Sequence, residues 1–261
     1  MSRNIIDLLL VLTLIGGIII CSFWSEADAA IEFKTSSQQY VSTSTAPVTA
    51  TPLTISCWMQ EDQSTALDTL VSIQDNADTD RYWRLRVDGD NATKTVSAGS
   101  RQNGASEATA FSTSIYTVGK WHHVTGVFVS STERYVYLDG THRGSSTTSS
   151  APDNIDDMTI GASRDSSPSN WMNGRIAEVA VWNVALSDDE VTALATPVRG
   201  MPLQIRPNNL VDYYPLNNVT DSVSMDTATM IINMAPNTFG SFNSASTSTS
   251  RPAGKGDIIS G

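Results

Sequence analysis

From Ile31 onward the chain is built of short apolar runs separated by clusters of Ser, Thr, Gly, Asn and Asp, and no helix of useful length is patterned before Ser187. Runs of this length and spacing are strands joined by turns, and their recurrence without helical patterns between them specifies a sandwich or barrel, not βαβ units. Within the runs side chains alternate. In Leu53-Thr54-Ile55-Ser56-Cys57-Trp58-Met59 the odd positions are apolar and two of the even ones carry hydroxyls, so one face is buried and the other partly wet. Trp83, Leu85 and Val87 alternate in the same way with Tyr82, Arg84 and Arg86. Trp121 to Val129 becomes apolar on both faces, as a central strand does. Arg134 to Leu138 follows, and Asp139-Gly140 is suited to a tight hairpin because both residues tolerate positive φ. Met158 to Gly161, Gly174 to Trp182 and Leu210 to Leu216 complete the set.

Ser187-Asp188-Asp189-Glu190 opens the one convincing helix: the Ser187 hydroxyl accepts the amide three residues on, and Glu190 reaches back to the cap. Val191, Leu194 and Ala195 share a face, and Pro197 closes the segment. The expected architecture is all-β, one antiparallel sandwich over residues 30–218 with this short helix.

The two ends read differently. Residues 1–29 form a signal peptide or membrane anchor, with Arg3 ahead of an uncharged stretch expected to be a hydrophobic leader helix, and Ala27-Asp28-Ala29 as a small-x-small cleavage site. Cleavage after Ala29 or Ala30 makes the protein secreted. Retention makes it membrane-anchored through residues 5–24, whose uncharged part reaches the lower length bound for a spanning helix. Cys21 follows Ile18-Ile19-Ile20 where a lipoprotein signal wants a small residue, so no lipid is expected there. Without the leader only Cys57 remains, and a lone cysteine makes no intrachain disulfide. Residues 219–261 are a Ser/Thr-rich tail in which Met230-Ile231-Ile232-Asn233-Met234 is a candidate edge strand.

Charge narrows the function. The formal charge is −11 with a pI near 4.5; residues 1–29 carry one base against three acids, so −9 belongs to the rest. A nucleic-acid footprint needs a basic stripe, and this chain has none, so nucleic acid is excluded as a partner.

Three segments carry a family signal: Trp121-His122-His123-Val124 running into Tyr137-Leu138-Asp139-Gly140, then Met158-Thr159-Ile160-Gly161, then Gly174 to Glu190. Their order resembles the laminin-G-like and pentraxin domains of the concanavalin A-like lectin/glucanase superfamily, over roughly residues 31–216. The resemblance implies a jelly roll. It also implies a secreted or surface lectin-like module that binds glycan or another cell-surface component. The alternative is a structural or adhesive protein of a virion or cell envelope that makes protein contacts. Because pentraxins form rings, a homo-oligomer is a further expectation. The pentraxin resemblance also implies a Ca²⁺ site made by Asp75 and Asn76, after one strand, and by Asp165, after another, with backbone carbonyls or water completing the oxygen shell. Ser163 stands where the family places an acidic ligand, so any ion is single and weakly held. Against it, Asp and Asn are ordinary turn formers that bond their own backbone.

Catalysis is not expected. Related glucanases place two carboxylates on one strand in a Glu-x-Asp-x-x-Glu pattern, whereas Glu178 stands alone in its strand and Asp88 has no acidic neighbour two positions back. His122 and His123 are adjacent in a strand, so they point to opposite faces and cannot share a metal. For glycan, the candidate contacts are Tyr82, Arg84 and Arg86, on the strand face away from the core. Trp58, also on an outer face, is expected to be packed.

Overall fold

The computed structural model describes residues 30–43, 45–63, 67–78, 80–89, 93–163, 168–198 and 201–216, together with the short strands at 11–14, 17–20, 223–224 and 230–231. In chain order the strands are β1 (Val11–Leu14), β2 (Gly17–Ile20), β3 (Ile31–Phe33), β4 (Val41–Thr43), β5 (Leu53–Glu61), β6 (Leu67–Gln74), β7 (Tyr82–Asp88), β8 (Thr95–Arg101) and β9 (Ala108–Phe111). They continue with β10 (Trp121–Ser130), β11 (Glu133–Leu138), β12 (His142–Ser146), β13 (Asp157–Ile160), β14 (Gly174–Trp182), β15 (Leu210–Tyr214), β16 (Val223–Ser224) and β17 (Met230–Ile231), and the helix α1 spans Asp188–Leu194.

Apart from the β1–β2 pair, the strands form two antiparallel sheets. The back sheet has the order β12-β11-β10-β5-β14-β15-β16, with β3 also paired to β14. The front sheet has the order β17-β4-β13-β6-β7-β8-β9. The alternation read from the sequence sorts the side chains: Leu53, Ile55, Cys57 and Met59 of β5 meet Trp83, Leu85 and Val87 of β7 in one buried cluster between the sheets. On one side the sandwich is closed by β12 lying against β9. A Cβ on Gly144 would come within 1.6 Å of the Phe111 carbonyl oxygen, so this seam requires glycine.

The hairpin between β11 and β12 turns through Asp139 (φ 53°) and Gly140 (φ 73°). This is the pair of positive angles that the tightest hairpins demand. The Asp139 carboxylate also accepts from the His123 amide at 2.9 Å and bonds the His122 ring at 2.8 Å. The two histidines do face apart: His123 is buried against Trp58, and burial lowers its pKa to about 3. Ser187 caps α1, with the Glu190 amide donating to its hydroxyl and Glu190 accepting from its amide. Leu186, Val191 and Leu194 seat the helix on Val127, Tyr137 and Trp182, the outward side of the back sheet. On the same side Ala30 is fully buried against Trp58 and Ala177, with Trp121 beside them, so Trp58 is packed as expected.

The expected leader helix is not what the described residues show. β1 and β2 pair as an antiparallel hairpin from Val11–Ile20 to Leu14–Gly17. The β-branched Val, Thr and Ile of this stretch favour extended backbone over helix, and Gly16 lies between its halves in sequence with Gly17 opening the second. The rest of residues 1–29 lies outside the described residues, including the cleavage site. No helix among the described residues is long and apolar enough to cross a membrane. In the tail, β16 pairs with β15 and β17 pairs with β4, extending one sheet each.

Candidate functional site

The outward face of the front sheet is polar over most of its length, although its Ser42, Thr69, Ser72, Ser97 and Thr159 are buried. Register alone builds it: Ser42, Thr159, Ser72, Arg84, Gly99 and Thr109 stand side by side across six strands. The next row is Thr69, Arg86, Ser97 and Phe111, and the last is Leu67, Asp88 and Thr95. Strand β7 runs through the middle and contributes Tyr82, Arg84, Arg86 and Asp88, because its alternate residues Trp83, Leu85 and Val87 are committed to the core.

The three sequence-predicted contacts therefore do share one face, but they lie down on it. Arg84 stacks over the Tyr82 ring at 4.1 Å and makes a bidentate pair with Glu107, at 3.1 Å from Nε and 2.6 Å from Nη2. Arg86 reaches the same carboxylate at 3.3 Å and bonds Asp88 Oδ1 at 3.2 Å. Only 5 to 8% of each of Tyr82, Arg84 and Arg86 is exposed. Two guanidinium groups and two carboxylates thus cancel, giving a flat, preorganised floor in place of projecting basic arms. Glu107 escaped the sequence reading because it sits in an irregular polar stretch before β9. The signal that points to it is Gly99, directly across from Arg84: a Cβ there would lie 1.9 Å from Glu107 Oε1, and a glycine inside a strand marks such a close approach.

At the far end of this face the floor opens into a cleft of about 480 Å³ lined by Leu67, Asp88, Thr93, Thr95 and Phe111. That volume is within the usual range of small-molecule sites, roughly 300–1,000 Å³. Leu67 and Phe111 are each over two-fifths exposed, although both are large and apolar. Asp88 is nine-tenths buried; its Oδ1 holds Arg86, while its Oδ2 has no hydrogen-bond partner among the described residues. Burial raises the Asp88 pKa, and the Arg86 guanidinium opposes the rise.

The expected calcium ligands are arranged otherwise. Asp75 Oδ2 is paired with Arg81 at 2.9 Å and Oδ1 accepts from the Ala77 amide at 2.9 Å, so both oxygens clamp their own loop. The Asn76 backbone N–H donates to Asp156 Oδ1 at 2.8 Å. Strands β6 and β13 run antiparallel, so the Asp75 loop leaves the pair at one end and the segment after Ile160 at the other. Ser163 lies against Thr69 at 3.3 Å, six residues or about 20 Å along β6 from Asp75. Asp165 itself is outside the described residues. Asp75 as placed does not fit a cation, since an arginine already occupies its carboxylate. Among the described residues no group of three His, Cys, Asp or Glu gathers around a metal position.

A second acidic constellation lies inside the sandwich. Glu61 is fully buried, Asp68 nearly so, and the Tyr116 phenol lies beside Glu61. Burial pushes the carboxyls up to about 7 and about 6, while Tyr116 draws Glu61 back and the Asn173 amide, donating to Asp68 Oδ2 at 3.0 Å, draws Asp68 back. These side chains point between the sheets and not across an open groove. Glu178, the isolated acid of β14, sits in a bulge at φ 53° and accepts the Tyr213 hydroxyl at 2.5 Å, while Arg175 pairs with Glu32 and Asp62.

This architecture agrees with the sequence comparison, in which the laminin-G pattern of the concanavalin A-like lectin/glucanases superfamily matches residues 35–192. The chain belongs to that superfamily. Among solved members of similar fold is the native heptameric SAP-like pentraxin of Limulus polyphemus, at a TM-score of 0.56 and 16% identity over 80% of this chain and 93% of that one. The CBM40 of the Ruminococcus gnavus IT-sialidase gives 0.52 and 14% over 65% and 99%. The same module bound to α2,3-sialyllactose gives 0.50 and 17% over 57% and 84%. No curated protein matches the sequence. At these identities the superfamily likeness is one of fold, and the site must be argued from this chain's own residues.

Proposed function

We propose that this concanavalin A-like sandwich is a lectin-like module that binds glycan on the outward face of its front sheet and performs no chemistry. The observation that carries the reading is the cleft at the end of that face, where the half-exposed Phe111 and Leu67 stand beside Asp88, Thr93 and Thr95, backed by the buried hydroxyl rows and the internally neutralised arginines. Sugars are recognised by such a combination of planar polar groups and apolar surface, and a preorganised floor binds without an ordering cost. The likeness to a sialyllactose-bound carbohydrate-binding module supports the same reading. As part of it we place the protein outside the cell or on a surface, on the strength of the uncharged leader and its Ala27-Asp28-Ala29 site.

A glycan array with the full chain, run with and without a chelator, tests this. Binding to a defined subset of glycans is expected, unchanged by the chelator because Asp75 is held by Arg81. Absence of binding to any glycan would overturn the reading, and loss of binding on chelation would overturn its independence of calcium.

A further inference from the structure

Between β9 and β10 the chain runs through residues 112–120 without regular secondary structure, and Ser112 and Tyr116 are the two buried residues of this segment. Ser112 holds its near end: the Ser112 amide donates to the Val96 carbonyl at 2.9 Å, and the Ser112 hydroxyl accepts the Val96 amide at 3.2 Å. Farther on, the Tyr116 amide donates to the Lys94 carbonyl at 2.9 Å, the Thr117 amide to His122 Nε2 at 2.9 Å and the Gly119 amide to the Glu61 carbonyl at 2.7 Å. Gln60 donates to the Gly119 carbonyl at 2.8 Å. A segment with so few buried anchors opens at less cost than the sheets it joins.

The second anchor is set on an acid. Tyr116 belongs to the core between the sheets, and its phenol lies beside Glu61, which ends β5 and is 0% exposed. Acting on Glu61 besides the phenol are Asp68 from β6, Asp62 from the next position in sequence, and Lys94 from the turn before β8. Asp68 accepts from the Asn173 amide at 3.0 Å and Asp62 is paired with Arg175 at 3.2 Å. Asp88 acts on Tyr116 from β7, and His122, beneath Thr117, is bonded to Asp139 at 2.8 Å. Lys94 thus supplies one positive charge against two further carboxyls. A carboxylate at Glu61 is both desolvated and repelled, and opening of the segment lifts Tyr116 away and admits water to it.

We propose that residues 112–120 form a latch that closes over Glu61 while its carboxyl is neutral and opens more readily once that carboxyl is ionised. The sign follows from burial, which pushes the Glu61 pKa up to about 7 in the closed form, whereas the opened carboxyl returns toward its ordinary value. Closing is favoured in full below the ordinary carboxylate range, and that preference is lost as pH rises through about 7. Asp68, raised to about 6, acts in the same direction. Protonation of His122 acts the other way, because it removes the acceptor of the Thr117 amide. The Glu61 contribution amounts to about tenfold in the opening equilibrium between pH 6 and pH 8. Phe111, a wall of the cleft, is the residue just before the latch.

Amide hydrogen exchange of the full chain at pH 6 and pH 8, corrected for the intrinsic rate at each pH, reads the latch at the Tyr116 and Gly119 amides against the amides of β5 and β10. Protection of the two latch amides is expected to fall about tenfold on going to pH 8, at an opening free energy below that of the sheet amides. E61Q, neutral at both pH values, is expected to lack the fall. Y116F keeps the ring as anchor and removes the phenol that draws the Glu61 pKa down, so its loss of protection is expected to continue to higher pH than in the wild type; it decides the matter should E61Q not fold. Equal protection of the wild-type latch amides at both pH values overturns the latch, as does the same fall in folded E61Q or a Y116F profile that coincides with the wild type. Exchange of the two amides only together with the sheets overturns it too, since the pH response then belongs to global unfolding.

Discussion

Glu107 touches two guanidinium groups, and its removal leaves both arginines nearly buried with fewer partners. E107Q is therefore expected to lower unfolding free energy by about 3 kcal/mol in denaturant titration, the cost of breaking a buried charge network by removing one member. An unchanged midpoint would show that the pairs behave as surface ion pairs. The residues of this network divide by legibility. Tyr82, Arg84 and Arg86 could be placed on one face from alternation alone, because a strand has a period of two and its apolar partners are unmistakable. That they lie flat could not, because Glu107 comes from a loop and reaches them across β8. Asp75 shows the same limit: a turn-forming Asp and a cation ligand look alike in sequence, and it is Arg81, six residues on, that gives the carboxylate its partner. The unpaired oxygen of Asp88 is likewise a three-dimensional property.

At the scale of elements, legibility follows how local the determinant is. The Asp139-Gly140 turn and the Ser187 capping box are decided within four residues, and both are present as read. S187A should cost about 1 kcal/mol, the usual worth of such a cap, measured by thermal unfolding. The β9–β12 seam is the opposite case, since Gly144 and Phe111 are brought together only by the closing of the two sheets. G144A drives a methyl into the Phe111 carbonyl, with an expected loss of about 1–3 kcal/mol typical of overpacking. Because Phe111 lines the cleft, the same variant is expected to weaken glycan binding, whereas S187A, on the back sheet, leaves binding unchanged. The leader illustrates a weight misjudged: an uncharged run of this length reads as a leader helix, yet its β-branched residues favour extended backbone, and β1 and β2 pair as strands.

The molecule as a whole carries its pH dependence inside. Glu61 and Asp68 have folded pKa values raised above their ordinary ones, so the folded state holds protons that the unfolded chain releases. Their stabilisation is complete at low pH and is lost as pH rises through about 6 and 7. Asp88, also raised, acts with the same sign. His123, lowered to about 3, acts oppositely, since the unfolded chain gains its proton below its ordinary value. Asp139 and Glu190 are held below the ordinary carboxylate range by their partners and enter only at lower pH. The two raised acids outweigh the single histidine, so stability should rise by about 2 kcal/mol from pH 8 to pH 5 and fall below that. E61Q should be more stable than wild type at pH 8 and nearly flat over the same interval. A wild-type profile that declines steadily from pH 8 would contradict the assignment.

The burial of Ala30 beneath Trp58 and Ala177 fixes where the chain enters the sandwich: on the surface opposite the arginine floor. The N-terminal entry of the sandwich and the proposed sugar-binding face thus lie on opposite surfaces, so a probe fixed at Ala30 would leave that face uncovered.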